Sequence, residues 1–211
     1  TDDQGYGDLG CYGSPNIETP HVDRLAAEGM RFTCFYAAPF CGASRAALMT
    51  GCYPPRVSLA FNHGPNGTTG IHPDELTVAE LLKSAGYATL HVGKWHLAGH
   101  ENVQGSQAVQ EEARGGYEYW LGAELLEFCS DAYKTVLYDN ENRPVELPGY
   151  RVDALTDAAV RFIDERRDAP FFLCLSFLEP HHQNHLDDYP PPTGYREAYT
   201  GRWTPPDLAA L

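Results

Sequence analysis

Cys41 and Arg45, four residues apart, open an Ala-rich run that continues through Ala46, Ala47, Leu48, Met49 and Thr50 and ends at Gly51. The run predicts a helix stopped by the glycine, with Cys41 just ahead of it at the helix N-terminus. There the thiol would lie beside unpaired backbone N–H groups and the positive end of the helix dipole. Such a position stabilises a thiolate or a bound oxyanion. Arg45, one turn on, adds a fork of donors suited to sulfate, phosphate or carboxylate. An arbitrary cysteine is more often a buried, inert thiol, so the chemistry depends on the company this one keeps.

Three further groups could supply that company. Asp2 and Asp3 lie in the Gly-rich run Asp2-Asp3-Gln4-Gly5-Tyr6-Gly7-Asp8-Leu9-Gly10, which predicts a loop. Paired carboxylates with glycine freedom around them suit a hard cation such as Ca²⁺, although for an arbitrary Asp pair a solvated acidic turn is the commoner outcome. Lys94 and His96, two apart in Gly93-Lys94-Trp95-His96-Leu97, project to one side if the chain stays extended. His181, His182 and His185, in Glu179-Pro180-His181-His182-Gln183-Asn184-His185, are dense enough to suggest a transition-metal site on spacing alone. His63 is read as a solvated loop residue.

The elements that must position these groups follow from periodicity. Thr19-Pro20 starts a helix through Glu28, with Val22, Leu25 and Ala26 on one face and Gly29 as the stop. Met30 to Tyr36 alternates like a strand leading to Cys41, and 52–72, rich in Gly, Pro and Asn, reads as a long loop. Thr77-Val78-Ala79-Glu80 is a capping box ahead of a helix that buries Val78, Leu81, Leu82 and Ala85 and stops at Gly86. Tyr87 to Val92 is then a strand with Lys94 and His96 at its carboxyl end, where open α/β sheets place their sites. Residues 100–116 show no pattern, and Thr135 to Tyr138 with Pro144 to Leu147 predict a hairpin around 139–142. Asp153 to Arg167 is a helix with Leu155, Ala158, Ala159, Phe162 and Ile163 in register, and Phe171 to Leu178 is a continuous apolar strand buried on both faces, ending at His181. From Leu186 to Leu211 no period is present.

The chain has 211 residues, 43% hydrophobic and 12% aromatic, enough for the core of one good-sized domain. Its net charge of −14 argues against nucleic acid as a partner and requires a local positive site if an anion is to bind. No apolar run reaches membrane-spanning length. Nothing at the start reads as a secretory signal, and the abrupt opening on Thr1-Asp2-Asp3 carries the expectation that further sequence precedes it. Six cysteines, at 11, 34, 41, 52, 129 and 174, show neither paired metal spacing nor a disulfide framework.

Cys41-Gly42-Ala43-Ser44-Arg45 with Thr50-Gly51 resembles the type I sulfatase signature C-x-P-S-R…T-G, with Ala43 where proline is commoner. The run from Asp2 to Gly10 resembles that family's opening motif D-D-x-G-x-G-D-L-G-x-Y-G. Ile71 to Leu97 resembles T-L-A-E-L-L-K-x-A-G-Y…G-K-W-H-L-G, with Ala98 in place of the last glycine, and Pro180-His181 resembles its P-H motif. The resemblance implies an alkaline-phosphatase-like α/β fold, a mostly parallel central sheet with helices on both faces, incomplete at both ends. It also implies that 1–211 is the N-terminal portion of one catalytic domain. The family's first strand, its S-D-[HN]-G metal motif and a second lysine downstream are not found here.

By the same resemblance Cys41 becomes formylglycine, the nucleophile, through a formylglycine-generating maturation enzyme. Asp2, Asp3 and position 41 hold a divalent cation, Ca²⁺, while Asp8 is structural. Arg45 and Lys94 hold sulfate, His96 serves the formylglycine hydroxyl, and His181 contacts sulfate and protonates the leaving alcohol. The implied substrate is a sulfated small molecule or glycan, and the implied compartment is periplasmic, lysosomal or secreted. Two alternatives stay open: a phosphonate monoester or phosphodiester hydrolase of the same superfamily, and a non-catalytic anion-binding fragment.

Overall fold

The computed structural model describes residues 1–61, 70–104, 107–183 and 186–202. Its centre is a five-stranded mixed sheet. In chain order the helices are α1 (Pro20–Glu28), α2 (Cys41–Thr50), α3 (Val78–Ser84), α4 (Arg151–Arg166) and α5 (Tyr195–Tyr199). The strands are β1 (Ala88–Lys94), β2 (Val103–Gln104), β3 (Ala108–Val109), β4 (Tyr119–Ala123), β5 (Thr135–Tyr138), β6 (Pro144–Leu147) and β7 (Phe171–Ser176). The order across the sheet is β6-β5-β4-β1-β7, and β2 and β3 form a separate two-stranded piece. β1 pairs in parallel with β4 (Val92 opposite Leu121) and with β7 (Val92 opposite Leu175), whereas the β5–β6 hairpin adds antiparallel strands at the far edge.

Burial of two apolar faces explains the layers. Ala46 and Met49 of α2 and Ala79 of α3 pack with Trp95, Tyr117 and Trp120 on one face of the sheet. Leu155 and Ala158 of α4 pack with Val92, Ala123, Leu126 and Leu137 on the other. The capping box forms as read: Glu80 N donates to Thr77 Oγ1 at 3.2 Å and Thr77 N to Glu80 Oε2 at 2.9 Å. Gly93 shows how closely β1 meets β7. Its φ is +107°, and a Cβ there would lie 2.1 Å from the Ser176 carbonyl oxygen, so only glycine fits.

Three sequence expectations change. Met30 to Tyr36 is not a strand: Phe32, Phe35 and Tyr36 are exposed, and the segment is tied by Tyr12 Oη on the Phe32 carbonyl (2.6 Å) and by Arg31 on the Cys11 carbonyl. Alternation signals a strand only where a neighbouring strand offers pairing. The α1 helix forms, but its apolar stripe is unburied, Leu25 being 70% exposed, and α3 likewise leaves Leu81 and Ala85 exposed and buries Ala79 instead. β7 ends at Ser176, and all six of its residues are only half-buried, because among the described residues it pairs on one side alone. Conversely β4, between β1 and the hairpin, is missing from the sequence reading, since five residues interrupted by Gly122 show no usable period. All six cysteines are free thiols. His63 and His185 lie outside the described residues.

Candidate active site

Three parallel strands deliver their carboxyl ends to one place. β1 ends at Lys94 and turns through Trp95 and His96, β4 runs into Glu124 and Glu127, and β7 runs through Ser176 to Glu179 and His181. The N-terminus of α2 meets this rim and brings Cys41 and Arg45, as expected where ligands collect in open α/β sheets.

Cys41 is the first residue of α2, and its Sγ lies 3.1 Å from His96 Nδ1. His96 is held there by an unusual backbone, with φ +58°. Its N–H donates to the Glu124 carbonyl at 2.9 Å, and the Glu124 carboxylate accepts from Leu97 N (3.2 Å), Ala98 N (3.0 Å) and Gly99 N (3.1 Å). A buried acid thus satisfies consecutive amides that would otherwise be orphaned, and fixes the turn that aims His96 at Cys41.

Arg45 Nη1 donates to the Lys94 carbonyl (2.7 Å) and to Ser176 Oγ (2.5 Å), and Nη2 reaches Asp2 Oδ2 at 3.3 Å. One guanidinium therefore ties α2 to β1, to β7 and to the acidic loop, and its Nε has no hydrogen-bond partner among the described residues. Lys94 is fully buried, with Nζ 2.8 Å from Asp2 Oδ2 and 3.1 Å from Glu127 Oε1. Burial works to raise the Asp2 carboxyl, but the charges of Lys94 and Arg45 outweigh it and hold the group below the ordinary carboxylate value. His181 Nδ1 donates to the His182 carbonyl at 2.6 Å, which leaves Nε2 facing Asp3 Oδ2 at 3.7 Å.

Asp2, Asp3, Cys41, Arg45 and Ser176 line one cavity of 610 Å³. His181 lines a cleft of 440 Å³ with Tyr150, Tyr189, Tyr195 and Tyr199, and its Nε2 faces Asp3 of the first cavity at 3.7 Å. All seven sequence candidates thus fall in one connected neighbourhood, with Lys94 enclosed behind the cavity rather than lining it.

The Sulfatase family model matches residues 1–205. The chain belongs to the sulfatase family. It is 43% identical over 159 residues to N-acetylgalactosamine-6-sulfatase of Sus scrofa, covering 71% of this chain and 28% of that protein. It is 46% identical over 129 residues to steryl-sulfatase of Mus musculus, covering 57% of this chain and 20% of that protein. The solved structure of BT4656 in complex with its substrate D-Glucosamine-2-N, 6-O-disulfate superposes with a TM-score of 0.70 at 30% identity, covering 85% of this chain and 33% of that one. The chain spans less than a third of the length of these curated relatives.

Among the described residues no three His, Cys, Asp or Glu side chains come together to hold a metal ion. Asp2 is turned to Lys94 and Arg45, Asp3 toward His181, and Cys41 to His96. Two carboxylates are the right donor type for Ca²⁺ but fall well short of its roughly six to eight oxygens. The described residues of this sulfatase chain therefore do not complete a calcium site. Sequence reasoning also missed Glu124 and Glu127. The available signal was two acids in the otherwise apolar run Ala123-Glu124-Leu125-Leu126-Glu127-Phe128, directly after a strand.

Proposed function

We propose that this chain is the N-terminal portion of a sulfatase catalytic domain that hydrolyses sulfate esters, with position 41 as nucleophile. The observation that carries the reading is the Cys41 Sγ to His96 Nδ1 contact of 3.1 Å at the head of α2, beside the Arg45–Asp2–Lys94 cluster. Cys41 Sγ stands in for a hydroxyl of hydrated formylglycine, the group into which a maturation enzyme would convert this side chain. That group supplies two hydroxyls on one carbon, so that one can take the sulfuryl group and the other can release it.

His96 Nδ1, at hydrogen-bond distance from position 41, is placed to take the proton whose loss drives release. The positive end of α2 and the Arg45 guanidinium stabilise the sulfate oxygens as charge builds on them, and Lys94 adds a second cation from β1. His181, with Nδ1 committed to a carbonyl, offers Nε2 for proton transfer to the departing alcohol. Asp2 and Asp3 would contribute carboxylates to a divalent cation such as Ca²⁺, whose charge would offset that of the bound sulfate. The tyrosine-lined cleft beside His181 suits the ring of a sulfated sugar as leaving group, in keeping with the sulfated glucosamine bound by BT4656.

The test pairs intact-mass analysis of position 41 with side-by-side rates on an aryl sulfate and an aryl phosphodiester. Aldehyde at position 41 and preference for the sulfate are expected. An unmodified Cys41 in active enzyme defeats the nucleophile assignment, and preference for the phosphodiester moves the chain to the alternative hydrolase class.

A further inference from the structure

Glu127 stands just beyond β4 and belongs to none of the groups that the sulfatase motifs name. Its residue is 4% exposed, and Oε1 lies 3.1 Å from Lys94 Nζ. An ammonium has three N–H donors. Asp2 Oδ2 takes one at 2.8 Å and Glu127 Oε1 a second, on a side chain that is itself fully buried. The two acids are not equivalent. Asp2 is shared with Arg45 at 3.3 Å, whereas among the described residues the ion pairs of Glu127 are confined to Lys94.

The turn that carries Glu127 is braced from the His181 side. Gln183 Nε2 donates to the Glu127 carbonyl at 2.9 Å, Arg151 Nη2 donates to Gln183 Oε1 at 3.0 Å, and Arg151 Nε donates to Glu179 Oε1 at 2.9 Å. The other carboxylate oxygen, Oε2, is buried with no hydrogen-bond partner among the described residues. With its turn braced and Oε1 committed to Lys94, Glu127 is set to fix where that ammonium sits.

We infer that Glu127 is a positioning residue for the sulfate clamp: it fixes the Lys94 ammonium at the ends of β1 and β4, behind the cavity, so that its charge acts on the oxyanion from there. The inference rests on the reading of Lys94 as part of that clamp. Without Glu127 the flexible four-carbon stem would settle on Asp2 alone, and the position of that charge would no longer be fixed.

The experiment is a double-mutant cycle on the matured enzyme with aryl sulfate as substrate: wild type, Glu127→Gln, Lys94→Ala and the double variant. Gln keeps the volume and one acceptor while removing the charge. Glu127→Gln is expected to lower kcat/KM about tenfold or more while the thermal unfolding midpoint stays near wild type. In the Lys94→Ala background the same change is expected to be nearly silent, within about twofold, because the two residues act as one unit. Wild-type kinetics for Glu127→Gln, or losses that multiply in the double variant, would overturn the inference and leave the clamp standing. Wild-type kinetics for Lys94→Ala would instead overturn the clamp itself, and with it this role of Glu127. Should Glu127→Gln not fold, Glu127→Asp, which keeps the charge but falls short by one methylene, gives the same comparison in both backgrounds.

Discussion

Arg45 joins more of the site than any other side chain: it bonds the Lys94 carbonyl, Ser176 and Asp2 through two terminal nitrogens. Lysine offers the same charge as a single point and cannot span three partners on different elements. Arg45→Lys is expected to lower kcat/KM for aryl sulfate about a hundredfold, the scale set by losing an aligned oxyanion donor; a loss below about threefold would remove Arg45 from the clamp. A second residue, His91, matters to stability and not to the chemistry. It is fully buried, stacked 4.7 Å from Trp120, and burial followed by the charge of Arg45 pushes its pKa down to about 3. The unfolded chain takes up this proton below the ordinary value of 6.5, whereas the folded chain waits until about pH 3. The unfolded state therefore binds more protons between those limits, and stability falls as pH drops through that window by up to ~1.4 kcal/mol per unit. Between pH 7 and pH 5, urea unfolding should show His91→Phe losing about 2 kcal/mol less than wild type. Parallel pH dependence in both proteins would mean that His91 is not the group responsible.

At the scale of elements, the site depends on how tightly β1 and β7 are joined beneath it. Gly93 sits one residue before Lys94 with its φ at +107° and with the Ser176 carbonyl where a Cβ would go. Gly93→Ala must push the strands apart or strain the backbone, and either route costs about 1–3 kcal/mol. Because the same shift displaces Lys94 and Ser176, activity should fall along with the unfolding midpoint. An alanine variant as stable and active as wild type would show that the strand ends can move without consequence. At the other end of the same helix–strand unit, Thr77→Ala removes the α3 cap and is expected to cost about 1 kcal/mol in urea unfolding with little change in kcat, since the Thr77 hydroxyl bonds Glu80 N and the Gly115 carbonyl and neither belongs to the site. These two elements also mark what could be read from sequence. α3, β1, α4 and the head of α2 were legible because caps, stops and apolar stripes are local signals, and they carried Cys41, Arg45, Lys94 and His96 to the right strand ends. β4, Glu124 and Glu127 were not legible. Their importance lies in which strand neighbours β1, and pairing between residues some thirty positions apart leaves no trace in local pattern. Met30 to Tyr36 was misread for the converse reason: it has the alternation of a strand and no strand to pair with.

Considered as one body, the chain leaves large apolar side chains exposed close together in sequence: Val22 and Leu25 on α1, then Met30, Phe32, Phe35, Tyr36 and Phe40 on the segment that leads to Cys41. Monomeric proteins rarely leave so continuous an apolar stretch open to water, and a net charge of −14 keeps such molecules apart only while it is unscreened. The 211-residue chain studied alone is therefore expected to self-associate as salt is raised, because screening removes the repulsion and leaves the apolar attraction intact. Sedimentation velocity in low and high salt measures this directly, and an environment-sensitive hydrophobic dye should bind in parallel. The double variant Leu25→Glu, Phe35→Ser places a charge and a hydroxyl in the middle of that surface without touching a buried side chain, so it should restore the monomer at high salt while leaving the unfolding midpoint unchanged. A chain that remains monomeric and dye-silent at high salt would mean that these side chains fold back onto the body, and the α1 stripe would then be buried as its periodicity implies.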